Sequence, residues 1–145
     1  MNNKLLFIIG LRASGTSILR ELIEQHPGVH ILDFEPHDLL YSVSTYHIAR
    51  YKNSIYHRNI IEQYRRQDTK YIGAKLAFNI GIEAGKWKFL KRYYPQAKFI
   101  FIKRNLQDNY KSWKRKDTKT LNYVLDKDVY EKFWKRINND FKDYV

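Results

Sequence analysis

The sequence predicts an α/β domain in which helices flank a central, mostly parallel sheet. Short apolar runs typical of buried strands alternate with longer segments that carry apolar residues at helical spacing. In addition, the segments with anion-binding chemistry each follow a predicted strand, where ligands bind in sheets of this kind. With 145 residues, the chain is expected to form one domain over residues 1–145.

The first strand is predicted over residues 4–9, because a continuous apolar run is typical of a strand buried on both faces. A helix is predicted after the next loop, and residues 26–28, His-Pro-Gly, end it. Its apolar residues at helical spacing are Ile18, Leu19, Leu22 and Ile23.

The elements predicted further along the chain alternate in the same way. They are a strand at 29–34, helices at 38–50 and 54–67, a short strand at 70–77, a helix at 82–94, a strand at 97–102, and helices at 105–116 and 126–144.

Composition restricts the possible partners. Lys and Arg number 27 against 15 Asp and Glu. Residues 1–72 hold nine basic and seven acidic side chains, and residues 73–145 hold 18 and eight, so the net charges are +2 and +10. This excess predicts an anionic partner, although a solvated lysine-rich surface would give the same count. The chain has no cysteine and no apolar stretch of membrane-spanning length, which favours a cytoplasmic protein without membrane contact.

The loop at residues 10–17, Gly-Leu-Arg-Ala-Ser-Gly-Thr-Ser, follows a predicted strand and opens a helix. Such a loop directs backbone N–H groups and a helix N-terminus at an anion. Its spacing is that of a triphosphate-binding loop, except that Thr16 stands where the lysine belongs. A phosphate cradle without triphosphate chemistry is therefore predicted.

The same pattern, G-x-x-x-S-G-T-S followed by Ile and Leu, resembles the 5′-phosphosulfate loop of sulfotransferases, which use 3′-phosphoadenosine 5′-phosphosulfate (PAPS). The resemblance implies a P-loop-type three-layer fold. It also implies that the donor's 5′-phosphate is bound by the loop residues Arg12, Ala13, Ser14, Gly15, Thr16 and Ser17. Family members usually carry a lysine or arginine where this chain has Ala13, so Lys75 or Arg12 would have to supply that cation.

A second segment carries the same resemblance. Sulfotransferases have an arginine at a strand end and a serine eight positions later, and both hold the donor's 3′-phosphate. Arg104 and Ser112 reproduce that spacing after the predicted strand 97–102. A guanidinium suits phosphate because it offers a planar fork of donors.

Residues 29–35, Val-His-Ile-Leu-Asp-Phe-Glu, resemble a segment of heparan sulfate glucosaminyl sulfotransferases whose final glutamate is the general base. The resemblance assigns that role to Glu35, with His37 as the alternative base. Lys75 lies in a segment similar to the Gly-Glu-Lys of that branch and would stabilise charge during transfer. A polar loop before a helix would explain Glu35 and His37 equally well without a function.

The resemblance implies transfer of a sulfuryl group from PAPS to a hydroxyl or amine of a small-molecule or glycan acceptor, without a metal. It covers residues 4–116, and nothing after Leu121 matches the loop with which the family covers its donor, so a shortened form or a fragment is expected. Three alternatives stay open: a non-catalytic relative that binds the donor, a P-loop kinase-like protein, and a basic module binding nucleic acid, which is the least favoured partner.

Overall fold

The computed structural model describes residues 3–32, 68–78, 91–92, 94–117 and 126–142. These residues form an α/β fold, which confirms the predicted fold class. In chain order the elements are β1 (Lys4–Leu11), α1 (Thr16–Glu24), β2 (Val29–Leu32), β3 (Tyr71–Phe78), β4 (Lys98–Ile102), α2 (Leu106–Asp117) and α3 (Lys127–Lys142). The helices predicted at 38–50 and 54–67, and most of that at 82–94, lie outside the described residues.

The four strands form one parallel sheet in the order β2-β3-β1-β4. β1 lies between β3 and β4, so its Ile8 is level with Lys75 on one side and with Ile100 on the other. Because all strands are parallel, the carboxyl ends of β1, β3 and β4 lie at the same edge of the sheet. In the strand order, β2 and β3 lie on one side of β1 and β4 lies on the other side. Ligands bind where the strand order reverses in this way.

Helices cover both faces of the sheet. Phe7, Ile9 and Leu11 of β1 point to one face, where they join a buried cluster with Ile137 of α3. Leu6 and Ile8 point to the other face. There Leu19 and Ile23 of α1 pack against the cluster that contains them. The alternation of β1 side chains thus produces three layers, with β1 at the centre of both cores.

α1 buries only part of its apolar pattern. Leu19 and Ile23 contact the core, whereas Ile18 and Leu22 are 66% and 58% exposed. The four residues span more of the helix surface than the sheet can cover. None of the described helices is both long enough and apolar enough to cross a membrane.

α2 begins at a well-formed cap. The side-chain carbonyl of Asn105 accepts a hydrogen bond of 2.9 Å from the backbone N–H of Asp108. The Asn105 amide in turn donates to the Asp108 carboxylate. This cap fixes the start of α2 immediately after the two residues that follow β4.

Candidate functional site

The loop between β1 and α1 starts with a tight turn. The backbone N–H of Ser14 donates to the carbonyl of Leu11 over 3.0 Å. Ala13, at the third position of this turn, has a φ of +68°, and no other described non-glycine residue has a positive φ. A closed turn with positive φ at its third position alone is of type II, which normally carries glycine or asparagine there. The left-handed backbone of Ala13 therefore costs about 1–2 kcal/mol.

The loop continues into an open helix N-terminus. Gly15 is the N-cap of α1 with a φ of 96°, and no side chain caps the helix. The first helical hydrogen bond of α1 runs from the backbone N–H of Leu19 to the Gly15 carbonyl over 3.0 Å. The backbone N–H groups of residues 16–18 consequently have no intrahelical acceptor. No acidic residue lies in this first turn, so the positive end of the helix dipole is directed at the loop.

Close approach of three elements shapes the loop entrance. A Cβ built on Gly10 would lie 2.9 Å from the carbonyl oxygen of Ile102 and 3.1 Å from Cγ2 of Thr16. Only glycine fits there without displacing backbone. Gly10 therefore allows the end of β4 and the start of α1 to meet beside the loop.

A buried polar network connects the loop to the two C-terminal helices. The Nδ2 of Asn109, on α2, donates to the Arg12 carbonyl and to Oγ of Ser14, both over 3.1 Å. The hydroxyl of Tyr130, on α3, donates to Oδ1 of Asn109. Asn109 is 0% and Tyr130 1% exposed. Both amide donors of Asn109 are therefore satisfied, as burial of a side-chain amide requires.

Arg104 brings a permanent positive charge to the loop. Its Nη1 donates to the Ala13 carbonyl over 3.1 Å. Its own carbonyl accepts a hydrogen bond of 3.1 Å from Nε1 of Trp134 on α3. The neighbouring Lys103 places its Nζ 4.9 Å from the centre of the Trp134 ring. The segment after β4 is thus held by both α3 and the loop, and the Arg104 guanidinium lies beside the turn between β1 and α1.

The predicted loop residues differ in accessibility. Arg12, Ala13 and Gly15 are partly buried, Ser14 and Thr16 are buried, and Ser17 is exposed. The Ser14 N–H and the Ser14 oxygen are both engaged within the protein. The loop donors other than those of Ser14 include the Ala13 N–H, the backbone N–H groups of the α1 N-terminus and the Ser17 hydroxyl.

The other predicted residues lie at different depths. Ser112 is partly buried on α2, three residues beyond Asn109 and therefore close to the same helix face. Lys75 is partly buried on β3, level with Ile8 and three residues before the end of β1. It lies about 10 Å below the carboxyl edge along the strand direction. Glu35 and His37 fall outside the described residues, so their catalytic roles stay predictions.

Sequence reasoning missed Asn109, Tyr130 and Trp134. One signal was present: asparagine is unfavourable inside a helix unless its side chain has a specific partner, and Asn109 falls inside the predicted helix 105–116. Tyr130 and Trp134 carry no such signal, because aromatic residues at helical spacing also occur in any core. Among the described residues, no cluster of three or more His, Asp or Glu side chains could hold a metal ion.

Comparison with protein-family models gives no match, and comparison with curated proteins gives no similar sequence.

Proposed function

We propose that this chain binds PAPS at the β1–α1 loop and transfers its sulfuryl group to a hydroxyl or amine acceptor. The observation that carries the proposal is the contact between Arg104 and the Ala13 carbonyl. It joins a guanidinium from the end of β4 to a turn that opens into an uncapped helix N-terminus. Backbone donors and a fixed cation together suit a ligand with two separate phosphate groups.

The position that decides between donors is Thr16. In triphosphate-binding loops a lysine at this position reaches the β- and γ-phosphates. Thr16 is 5% exposed and carries no charge. The cations described at the loop are Arg12, within it, and Arg104, which contacts the Ala13 carbonyl, and neither replaces the lysine at position 16. This arrangement favours a donor with a 5′-phosphosulfate and a 3′-phosphate over a triphosphate.

The proposed reaction is an in-line displacement. The acceptor oxygen or nitrogen attacks the sulfur of PAPS, and the bond from sulfur to the bridging oxygen breaks. The electron pair of that bond leaves with 3′,5′-bisphosphoadenosine. The acceptor proton passes to Glu35, or to His37 in its place, and the α1 N-terminus stabilises the charge on the leaving phosphate.

Calorimetric titration with 3′,5′-bisphosphoadenosine tests the donor site. We expect binding that is tighter than that of ATP and of adenosine 5′-monophosphate, which lacks the 3′-phosphate. Arg104→Ala should weaken it by about tenfold or more, corresponding to about 1.4 kcal/mol for loss of a charge-assisted contact. Arg104→Lys keeps the charge but not the fork and should lie between the two.

The matched control is Arg115→Ala, which removes the same charge from an exposed position of α2. It should leave the affinity within about twofold, since exposed charges act weakly at a distance in physiological salt. A preference for ATP, or equal losses from the Arg104 and Arg115 variants, would contradict the proposed donor site.

Transfer itself is tested separately with sulfur-labelled PAPS and a panel of hydroxyl and amine acceptors. Glu35→Gln should abolish transfer while leaving the affinity for 3′,5′-bisphosphoadenosine unchanged. Donor binding without transfer to any acceptor would instead indicate a relative that binds PAPS without catalysis.

A further inference from the structure

The peptide between Arg12 and Ala13 is held in the orientation that alanine disfavours. Turns of type I and type II share the hydrogen bond seen here from Ser14 N–H to the Leu11 carbonyl. They differ by rotation of the central peptide, here that of Arg12 and Ala13. Type I would give Ala13 an unstrained negative φ, yet its φ is +68°. Another interaction must therefore stabilise the strained form.

Asn109 supplies that interaction. Its Nδ2 donates to the Arg12 carbonyl over 3.1 Å from a position that is 0% exposed. A carbonyl can only accept, so the amide must present Nδ2 to the loop and Oδ1 to Tyr130. The Tyr130 hydroxyl donates to that Oδ1 and holds the amide group in place, while the Arg12 carbonyl fixes which end faces the loop.

The direction of the Arg12 carbonyl determines that of the next N–H. In a trans peptide, C=O and N–H point in opposite directions. The Arg12 carbonyl points inward at Asn109, and the Ala13 N–H therefore points away from α2. In a type I turn the two groups would exchange places, and a carbonyl oxygen would face the ligand side of the turn.

We propose that Asn109, oriented by Tyr130, is a positioning residue that keeps the Ala13 N–H available to the phosphate of the bound donor. Without Asn109 the Arg12–Ala13 peptide turns over, Ala13 relaxes to a negative φ, and the Arg12 carbonyl oxygen repels the anion. The ligand part of this inference rests on the proposed function. The peptide orientation does not.

The test combines two readouts on Asn109→Leu, a change that keeps the branched shape of the side chain and removes its polar atoms. The first is the intraresidue NOE between the Ala13 amide and its Hα, which is strong only at positive φ. The second is the affinity for 3′,5′-bisphosphoadenosine, measured by calorimetry well below the unfolding temperature. We expect a strong NOE in the unsubstituted protein, a weak one in Asn109→Leu, and an affinity loss of about tenfold.

Rescue by Ala13→Gly separates positioning from general damage to packing. Glycine accepts a positive φ without strain, so the turn no longer needs Asn109 to stay in type II. The double variant Asn109→Leu/Ala13→Gly should regain most of the lost affinity. Failure of this rescue would overturn the proposal. Asn138→Leu is the matched control: Asn138 is also buried, at 4% exposure, but bonds within α3. It should alter neither readout.

Two further outcomes are decisive. If Asn109→Leu does not fold, two other measurements still decide whether Ala13 is held at a strained positive φ. They are the NOE of the unsubstituted protein and the unfolding temperature of Ala13→Gly. A weak NOE, or a lower unfolding temperature in Ala13→Gly, overturns that premise. If the unsubstituted protein binds no 3′,5′-bisphosphoadenosine, the proposed function fails. Comparison of the NOE in the unsubstituted protein with that in Asn109→Leu then still shows whether Asn109 sets the turn.

Discussion

The indole N–H of Trp134 donates a hydrogen bond of 3.1 Å to the main-chain carbonyl of Arg104. This contact joins α3 to Arg104, two residues after the end of β4, whose side chain reaches the turn between β1 and α1. Trp134 and Tyr130 are four residues apart, so they lie on the same face of α3. One helix face therefore supports both the Arg104 side and the Asn109 side of the loop.

Trp134→Phe should destabilise the protein by about 1–3 kcal/mol, because the partly buried Arg104 carbonyl loses its donor while most of the ring remains. Urea unfolding at equilibrium measures the change. Lys103→Met is the control, since it keeps the hydrogen bond and removes only the cation over the ring. Its cost should be about 0.5–1 kcal/mol. Equal costs in the two variants would show that the indole N–H contributes nothing.

Gly10→Ala should cost about 1–3 kcal/mol, since the added methyl group meets the Ile102 backbone and overpacks the junction of β1, β4 and α1. Thermal unfolding measures it. Gly28→Ala is the comparison, because a Cβ there meets side-chain atoms alone, the His26 ring at 3.2 Å and Cβ of Lys70 at 3.8 Å. A Gly10 variant as stable as the Gly28 variant would refute the close approach.

The Glu24 carboxylate at the end of α1 holds the start of the β2 segment. It accepts hydrogen bonds from Arg20 over 2.7 Å and from the Ile31 N–H over 3.0 Å, and lies 3.2 Å from Nδ1 of His30. Glu24→Ala should destabilise the fold by about 1–3 kcal/mol, because these donors lose their acceptor.

Chemical unfolding compares this change with Glu21→Ala. Glu21 is on the same helix, but its side chain is 66% exposed and 3.7 Å from Arg20. Loss of that exposed pair should cost less than about 0.5 kcal/mol. A similar loss from both glutamates would remove the special role of Glu24.

Glu131 provides a prediction about pH. A side-chain hydrogen bond from Lys135, together with its charge, lowers the pKa of Glu131 below the ordinary value for glutamate. A lowered folded-state pKa means that the stabilisation is present above the unfolded pKa and is lost as pH falls through the folded one. The loss therefore falls in acid, below the ordinary range of glutamate. Lys135→Met should raise the pKa of Glu131, as measured by NMR titration of its carboxyl carbon. An unchanged titration would show that the pair does not form in solution.

The sheet was predictable because its strands have a local sequence signal. Residues 4–9 and 97–102 are nearly continuous apolar runs, and both form neighbouring strands of the parallel sheet. The order of strands was not predictable, since it depends on which strands pair across the sheet. The side of α1 that packs against the sheet was also not predictable. Ile18 and Leu19 have similar hydrophobicity, yet Ile18 is exposed and Leu19 packs against the core.

In the site, too, some features have a local sequence signal and others depend on tertiary contacts. Gly10 and Gly15 signal a tight loop by residue type alone, and the structure places that loop between β1 and α1. The meeting of Arg104 with Ala13, however, links residues 91 positions apart and has no local sequence signal. The residue type at position 13 does not predict the turn type, because alanine rarely adopts a positive φ. Such a conformation is imposed by tertiary contacts against local preference.

The long separation between the loop and its supports has a consequence for protein synthesis. Residues 12–14 are synthesised well before the groups that hold them, which lie 91 to 97 residues later in the chain. Tyr130 follows later still. A nascent chain that has completed only its first strand and helix therefore carries the glycine-bounded loop without the contacts that shape it. The loop therefore acquires its final shape only after α3 has been synthesised and packs against the sheet.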